Sequence, residues 1–122
     1  MDVSRFVKFL EDNNKAYIDK CFTEEEIRYC DSSKVLKCRA ERYAARFAAK
    51  EAVGKALGTG IFADGVGMHD IEVIKDSKGT PGVNLYGGAL IRSQNLGISS
   101  VSISLSHDGG MAAAYCVMLS EN

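Results

Sequence analysis

The stretch RFAAKEAVGKALGTG, residues 46–60, combines a run of alanines with Glu51 and Lys55, which lie four residues apart. Alanine is the best helix former, so the longest helix of the chain is predicted from about residue 40 to residue 57. Gly58 is placed to end this helix as its left-handed cap. The main question about function is then whether Glu51 and Lys55 form an exposed ion pair or belong to a binding site.

On this helix each residue advances about 100°, so Phe47, Glu51 and Lys55 fall within an arc of about 80°. An exposed i,i+4 ion pair, contributing roughly 0.2–0.5 kcal/mol, is the simplest interpretation. The alternative is a polar ligand, which the glycine-rich stretch 58–67 favours because its backbone N–H groups can meet phosphate oxygens. The alanines cluster on the opposite side, where another element can approach closely: Ala45, Ala48, Ala49, Ala52 and Ala56.

Composition predicts one domain, residues 1–122, in an ordinary globular chain with 46% hydrophobic residues, 25% charged residues and a net charge of −1. That charge argues against a surface built for nucleic acid. No apolar run approaches the roughly 20 residues of a membrane span, and the first residues lack the order of a signal peptide. We therefore expect a cytoplasmic protein whose cysteines are reduced, and their spacing excludes a zinc site: Cys21, Cys30, Cys38 and Cys116.

Local patterns predict helices first and strands later. Helical spacing of apolar residues marks a first helix in SRFVKFLEDN, and Thr23 with Glu26 forms a capping box that starts a second. After residue 60, MHDIEVIKD and VNLYG read as a hairpin around the turn SKGTPG, followed by a helix that ends at Gly97. VSISLS and MAAAYCVML are two more strands joined by the turn HDGG, the last one apolar enough to be buried on both faces or central. This order predicts an α+β fold with a mainly antiparallel sheet.

Two tempting motifs fail on physical grounds. Residues 58–63 fit GxGxxA but follow a helix, whereas the dinucleotide-binding pattern requires a preceding strand. Ser106, His107 and Asp108 have the residue types of a hydrolase triad, but consecutive strand residues point in diverging directions and cannot form the relay. His107 ends a strand just before a turn, and both a structural role and a place in a cleft remain open for it.

The blocks FAAKEAVGKALGTGI, KGTPGVNLYGGA and VSISLSHDGGMAAAYCV, in this order, resemble the holo-[acyl-carrier-protein] synthase family of phosphopantetheinyl transferases. The resemblance covers nearly the whole chain. It implies the 4'-phosphopantetheinyl transferase fold and transfer of 4'-phosphopantetheine from coenzyme A to a serine of acyl carrier protein, releasing 3',5'-ADP, in fatty acid biosynthesis. The nucleophile then belongs to the partner.

The resemblance also implies the site residues. Glu51 matches the glutamate that binds Mg²⁺, and Lys55 matches the lysine at the pyrophosphate, where it neutralises charge or assists proton transfer. His107 matches a histidine near the phosphates of coenzyme A. Four further positions match the neighbourhood of the nucleotide: Arg46, Gly58, Thr59 and Ser106.

One departure concerns the start of the chain. Family members begin with a strand of the type G-x-D, whose aspartate is a second ligand to Mg²⁺, and Asp2 lies about three residues too late to match it. Either the start lies too far downstream or this form lacks the strand and the ligand. The alternative function is therefore a protein of the same fold that binds coenzyme A or carrier protein but has impaired catalysis.

Assembly and partner follow from the same resemblance. Family members are homotrimers with sites at subunit interfaces, so His107 and Glu51 are expected to line one shared cleft, from one chain or from neighbouring chains. Acyl carrier proteins are acidic, so basic residues should mark their docking surface. Arg5 matches a docking arginine, Lys8 and Lys15 are weaker matches, and a solvated helix face is the alternative for all three.

Overall fold

A computed structural model of the chain describes residues 1–58 and 66–120, so Thr59 and most of the glycine-rich stretch lie outside the described residues. Five helices and four strands follow one another in these ranges. The helices are α1 (Val3–Glu11), α2 (Lys15–Cys21), α3 (Glu24–Asp31), α4 (Leu36–Ala56) and α5 (Gly87–Asn95). The strands are β1 (Ile71–Lys75), preceded by a 3₁₀ turn (Met68–Asp70), then β2 (Pro81–Leu85), β3 (Ile98–Asp108) and β4 (Met111–Ser120).

The ends of the predicted helices are set by local chemistry that the sequence displays. Thr23 accepts a hydrogen bond from Glu26 N while the Glu26 side chain accepts from Thr23 N, so the predicted capping box is confirmed. Gly58 has a φ of 80°, which confirms it as the left-handed residue after α4. Helix α4 starts at Leu36, earlier than predicted, because Val35 provides no side-chain cap to mark the start.

The strands pair in two antiparallel hairpins, which confirms the predicted fold class. β1 pairs with β2 from Ile71↔Leu85 to Lys75↔Pro81, and β3 pairs with β4 from Ile98↔Ser120 to Asp108↔Met111. The second turn is shorter than predicted: only Gly109 and Gly110 form it, both with positive φ, so His107 belongs to the strand. Positive φ at both central residues is the requirement of a tight hairpin turn.

Helix α4 holds the two parts of the molecule together. Its first half contributes Tyr43 to a helical core in which Phe6 and Tyr43 stack with ring centroids 6.1 Å apart. Val53 of its second half and Leu57, which directly follows the helix, contribute to a core that includes Ile71 of β1. Helix α4 also lies across β3 and β4. Glu51 and Lys55 are therefore on the half of α4 that faces the strands.

Strand β4 corrects one prediction, since it is buried on one face only. Ala112 is 1% exposed, whereas Tyr115, Val117 and Leu119 are 66%, 51% and 60% exposed. Side chains alternate along a strand, so one set faces the interior while the described residues leave the other set uncovered. The apolar character of MAAAYCVML therefore creates an exposed apolar face.

A buried ion pair joins α3, α4 and β1. Lys50 and Glu26 are fully buried, with Lys50 Nζ 2.6 Å from Glu26 Oε1. Lys50 also donates to the carbonyls of Met68 and Ile71, and Glu26 Oε2 accepts from Val73 N at 2.9 Å. Burial lowers the pKa of Lys50 even though Glu26 opposes that change. No local pattern in the sequence indicates this network, because its members are far apart along the chain.

Glu72 is buried as well, although the alternation of β1 predicts that it shares a face with Ile74, which is exposed. Its carboxylate accepts hydrogen bonds from Thr23 Oγ1 at 2.6 Å and from the Tyr86 hydroxyl at 3.1 Å. Burial raises the pKa of this carboxyl, but the hydrogen bonds, including one from Asn84, outweigh burial and hold the pKa below its usual value. These partners explain how a strand carboxylate is tolerated inside the fold.

Candidate active site

Glu51 and Lys55 lie in an open groove of about 510 Å³ between α4 and β4, which we call the α4–β4 groove. Glu51 is half-buried and Lys55 is exposed. Within the described residues neither side chain makes a hydrogen bond or an ion pair, and the i,i+4 pair between them is not formed. A carboxylate and an ammonium thus lie side by side in a groove without a hydrogen-bonding or ion-pair partner among the described residues.

Alanine explains why this groove exists. Ala48, Ala52 and Ala56 line it beside Glu51 and Lys55, and small strand residues line the other side. Because alanine ends at Cβ, one face of α4 and the facing part of β4 leave space that larger side chains would fill. The alanine face of α4 is therefore divided, since Ala45 and Ala49 are buried as predicted while the other three border the groove.

Arg46, Ser106 and His107 lie in a second cavity of about 400 Å³, bounded by α3, α4 and the β1–β2 hairpin, which we call the α3–α4 cavity. Among the described residues, none lines both this cavity and the α4–β4 groove. Arg46 and Glu51 are five residues apart, so they point about 140° apart around the helix. The structure thus brings the predicted residues together in two groups on different sides of α4.

The α3–α4 cavity is rich in cations. Among the residues that the structure describes, Arg42, Arg46 and Lys75 line it together with one carboxylate, Glu41. Glu41 Oε2 lies 3.0 Å from His107 Nδ1, so the partner of His107 is Glu41 and not the neighbouring Asp108. A cavity with this excess of positive charge is suited to an anionic ligand such as a phosphate.

Reasoning from the sequence missed four functional candidates in this cavity: Tyr29, Glu41, Arg42 and Lys75. Arg42 is one helical turn before Arg46, a spacing that places both on one face of α4. Lys75 ends β1 beside the hairpin turn, and Tyr29 lies on α3, where its ring contacts all three cations. The i,i+4 spacing of the two arginines is a sequence pattern that could have indicated a cationic site. No local sequence pattern links Tyr29 or Lys75 to these arginines.

The other predicted residues that the structure describes lie outside the two cavities. Gly58 is exposed at the end of α4, and Thr59 lies outside the described residues. Arg5 and Lys8 are exposed on α1 and make no hydrogen bond or ion pair with described residues. Lys15 starts α2 and pairs with Asp19 at 3.1 Å.

Glu51 is the residue that could hold a divalent cation. The described residues contain no group of three or more His, Cys, Asp or Glu side chains arranged to hold a metal ion. Mg²⁺ is commonly held by one or two carboxylates, with substrate phosphates and waters completing its octahedron. An unpaired carboxylate at an open groove therefore fits Mg²⁺ that arrives with a phosphorylated ligand.

The sequence model of the 4'-phosphopantetheinyl transferase superfamily matches residues 1–116 of the chain. The chain belongs to this superfamily. A holo-[acyl-carrier-protein] synthase from Geobacter sp. strain M21 is 44% identical over 118 residues, covering 97% of this chain and 91% of the relative. The resemblance drawn from the sequence blocks is confirmed.

Solved structures agree with this assignment. The holo-[acyl-carrier-protein] synthase of Helicobacter pylori in complex with coenzyme A has a TM-score of 0.81 and 28% identity, covering 98% of this chain and 95% of that one. The Bacillus anthracis synthase in complex with CoA (3',5'-ADP) has a TM-score of 0.78 and 31% identity, covering 99% and 91%. As for membranes, the described helices include none of the length and apolar character needed to span a bilayer.

Proposed function

We propose that the chain is a holo-[acyl-carrier-protein] synthase, which transfers 4'-phosphopantetheine from coenzyme A to a serine of acyl carrier protein in fatty acid biosynthesis. The observation that carries the proposal is the 44% identity to a synthase of that name over 97% of the chain. The two cavities agree with it, because a carboxylate–lysine groove suits a pyrophosphate and a cationic cavity suits the phosphates of a nucleotide.

The reaction is a phosphoryl-type transfer. The serine oxygen of the carrier protein bonds to the β-phosphorus, the bond from that phosphorus to the bridging oxygen breaks, and 3',5'-ADP leaves with that oxygen while the serine loses its proton. Mg²⁺, when bound, supplies positive charge to the phosphate oxygens. Glu51 would hold it, and Lys55 would neutralise the charge of the pyrophosphate or assist transfer of the proton from the serine to water. Arg46, Ser106 and His107 would hold the nucleotide.

Formation of holo carrier protein tests this function directly. The chain is incubated with apo acyl carrier protein, coenzyme A and Mg²⁺, and the mass of the carrier protein is followed. Gain of one phosphopantetheine that is prevented by chelation of Mg²⁺ is the expected result. Calorimetric binding of coenzyme A without any gain in mass would instead favour the alternative, a binding protein with impaired catalysis.

A homotrimer would join the two cavities. Residues 113–115 of β4 line the α4–β4 groove, and Tyr115, Val117 and Leu119 extend from it as an exposed apolar face. A second copy packed on this face would bring its own α3–α4 cavity towards Glu51 and Lys55. An interface between two different surfaces of the same chain closes into a ring when the rotation permits, and three copies form such a ring.

Val117→Glu should convert the trimer to a monomer, because a charge would then be buried in an apolar interface. Val117 is half-exposed in the single chain, so the fold should persist. Sedimentation equilibrium measures the mass, and activity should fall with it. Ile91→Glu is the matched control, since Ile91 is an exposed isoleucine on α5 outside both cavities. A monomeric parent at micromolar concentration, or a trimeric Val117→Glu variant, would contradict the trimer.

Arg5→Glu should raise the KM for acyl carrier protein roughly tenfold at low salt, because Arg5 is an exposed cation on α1 facing an acidic partner. The KM for coenzyme A should stay unchanged. The effect should shrink as salt rises, since exposed charges are screened beyond about 8–10 Å at physiological ionic strength. Lys34→Glu, an equal charge reversal between α3 and α4, is the control. An unchanged carrier-protein KM for Arg5→Glu at low salt would remove Arg5 from the docking surface.

Localisation and domain structure complete the proposal. All four cysteines are free in the structure, which suits a reducing compartment, and we place the enzyme in the cytoplasm as one domain spanning residues 1–122. Its partners are then acyl carrier protein, coenzyme A and two further copies of itself, with neither nucleic acid nor membrane involved.

A further inference from the structure

Tyr29 of α3 lies among three cations at the wall of the α3–α4 cavity. The guanidinium carbons of Arg46 and Arg42 are 3.9 and 4.7 Å from the centroid of its ring, and Lys75 Nζ is 5.1 Å from it. The three cations come from two elements, α4 and the end of β1. Tyr29 is the group that contacts all of them.

These contacts hold the cations by three different means. The face of an aromatic ring is negative and attracts a guanidinium. The Tyr29 hydroxyl accepts a hydrogen bond from Lys75 Nζ at 3.0 Å, and the Tyr29 carbonyl accepts one from Arg42 Nη1 at 3.0 Å. Burial raises the pKa of Tyr29, but Lys75 and the two arginines outweigh burial and lower it, which agrees with a hydroxyl held in a strongly positive environment.

Arg46 is the member that most needs such support. It is 3% exposed, and its Nε is buried without a hydrogen-bond partner among the described residues. A buried guanidinium without a carboxylate is costly, and the carboxylate that lines the cavity, Glu41, is paired with His107. The Tyr29 ring is therefore the main partner of Arg46 among the described residues.

We infer that Tyr29 is a positioning residue, which fixes Arg42, Arg46 and Lys75 so that together they recognise the 3'-phosphate monoester of coenzyme A. The inference rests on the proposed function, in that coenzyme A is the ligand. A phosphate monoester is doubly charged near neutral pH, and three converging cations match a dianion better than a singly charged diester. Tyr29 acts through these cations and needs no contact with the ligand.

A merely structural tyrosine predicts something different. If Tyr29 only packs α3 against α4, its loss lowers kcat/KM equally for all substrates. If it positions the cations, its loss lowers kcat/KM for coenzyme A and leaves kcat/KM for 3'-dephospho-coenzyme A unchanged. The ratio of kcat/KM for these two substrates therefore separates the two roles.

The experiment measures this ratio for the parent, Tyr29→Leu, Tyr29→Phe and the control Tyr86→Leu, whose exposed tyrosine lines neither cavity. Tyr29→Leu should raise the KM for coenzyme A about tenfold with kcat within about twofold, since ring and hydroxyl are both lost. Tyr29→Phe keeps the ring and should lose about threefold. Tyr86→Leu loses the hydrogen bond to Glu72, which costs some stability, but its ratio for the two substrates should match that of the parent. A parental ratio in a folded Tyr29→Leu variant, or an equal loss for both substrates, overturns the inference.

Two further measurements leave no outcome ambiguous. If Tyr29→Leu does not fold by circular dichroism, Tyr29→Phe decides, and an unchanged ratio for it overturns the inference. Calorimetric titration with 3',5'-ADP needs no transfer, and binding should weaken about tenfold in Tyr29→Leu. If the parent forms no holo carrier protein but its binding of 3',5'-ADP depends on Tyr29, only the proposed function is refuted. If the parent forms holo carrier protein and its binding of 3',5'-ADP does not depend on Tyr29, only the positioning role is refuted. The same holds if the parent forms holo carrier protein but does not bind 3',5'-ADP.

Discussion

Glu51→Gln should lower kcat/KM for holo carrier protein formation roughly 10²–10³-fold, the loss typical of removing one group that stabilises charge in the transition state. Glu51 is half-buried in the α4–β4 groove and has no hydrogen bond or ion pair within the described residues. Glutamine keeps its size and its helix propensity but removes the negative charge that a divalent cation requires. The thermal midpoint should therefore stay close to that of the parent.

Calorimetric titration of Mg²⁺ in the presence of coenzyme A gives a readout that does not depend on turnover. Affinity should fall in Glu51→Gln and remain parental in Glu24→Gln, an exposed carboxylate of α3 that lines neither the groove nor the α3–α4 cavity. Equal Mg²⁺ affinity in Glu51→Gln and the parent would remove Glu51 from the metal site. Lower activity with unchanged affinity would assign Glu51 to some other step.

Features with a local cause could be predicted from the sequence. The capping box of α3 needs only Thr23 and Glu26, the end of α4 needs only the left-handed Gly58, and the last turn needs only two adjacent glycines. Helix α2 was missed although it has a local cap, because its seven residues are too few for a periodic pattern to stand out. The fold class followed from the order of such signals along the chain.

Features that depend on distant residues could not be predicted. Periodicity identifies the apolar face of β4 but does not say what covers it, so strong apolarity was read as burial within one chain. Glu51 and Lys55 were found because they share a helix face. The Tyr29 group was not, since Lys75 is brought to Tyr29 from 46 residues away along the chain. Sequence resemblance to a family identifies which positions match its site residues. The three-dimensional fold is needed to show that these positions lie in two separate cavities.

Glu26→Gln should destabilise the fold by about 3–5 kcal/mol, the usual cost of leaving one member of a buried ion pair without its partner. Lys50 and Glu26 are both 0% exposed, so water cannot replace the lost charge. Glu26 accepts from Thr23 N at Oε1 and from Val73 N at Oε2, whereas a glutamine has one acceptor oxygen and would turn its NH2 donor towards one of these N–H groups. Since domains of this kind are typically stable by only about 5–15 kcal/mol, the variant should lose a large share of its stability.

Urea unfolding at one fixed protein concentration measures the loss, because the stability of an oligomer depends on concentration. Asp19→Asn is the matched control: it breaks the exposed Lys15–Asp19 pair and should cost less than about 1 kcal/mol. Glu26→Gln combined with Lys50→Met should be less destabilising than the sum of the two single changes, since removing both charges leaves no ion unpaired in the interior. Additive losses would mean that the two charges do not interact, and a loss in Glu26→Gln as small as that in Asp19→Asn would mean that water reaches Lys50. In either case the attachment of β1 to α4 would have to rest on apolar packing and on the hydrogen bonds from Lys50 to the carbonyls of Met68 and Ile71.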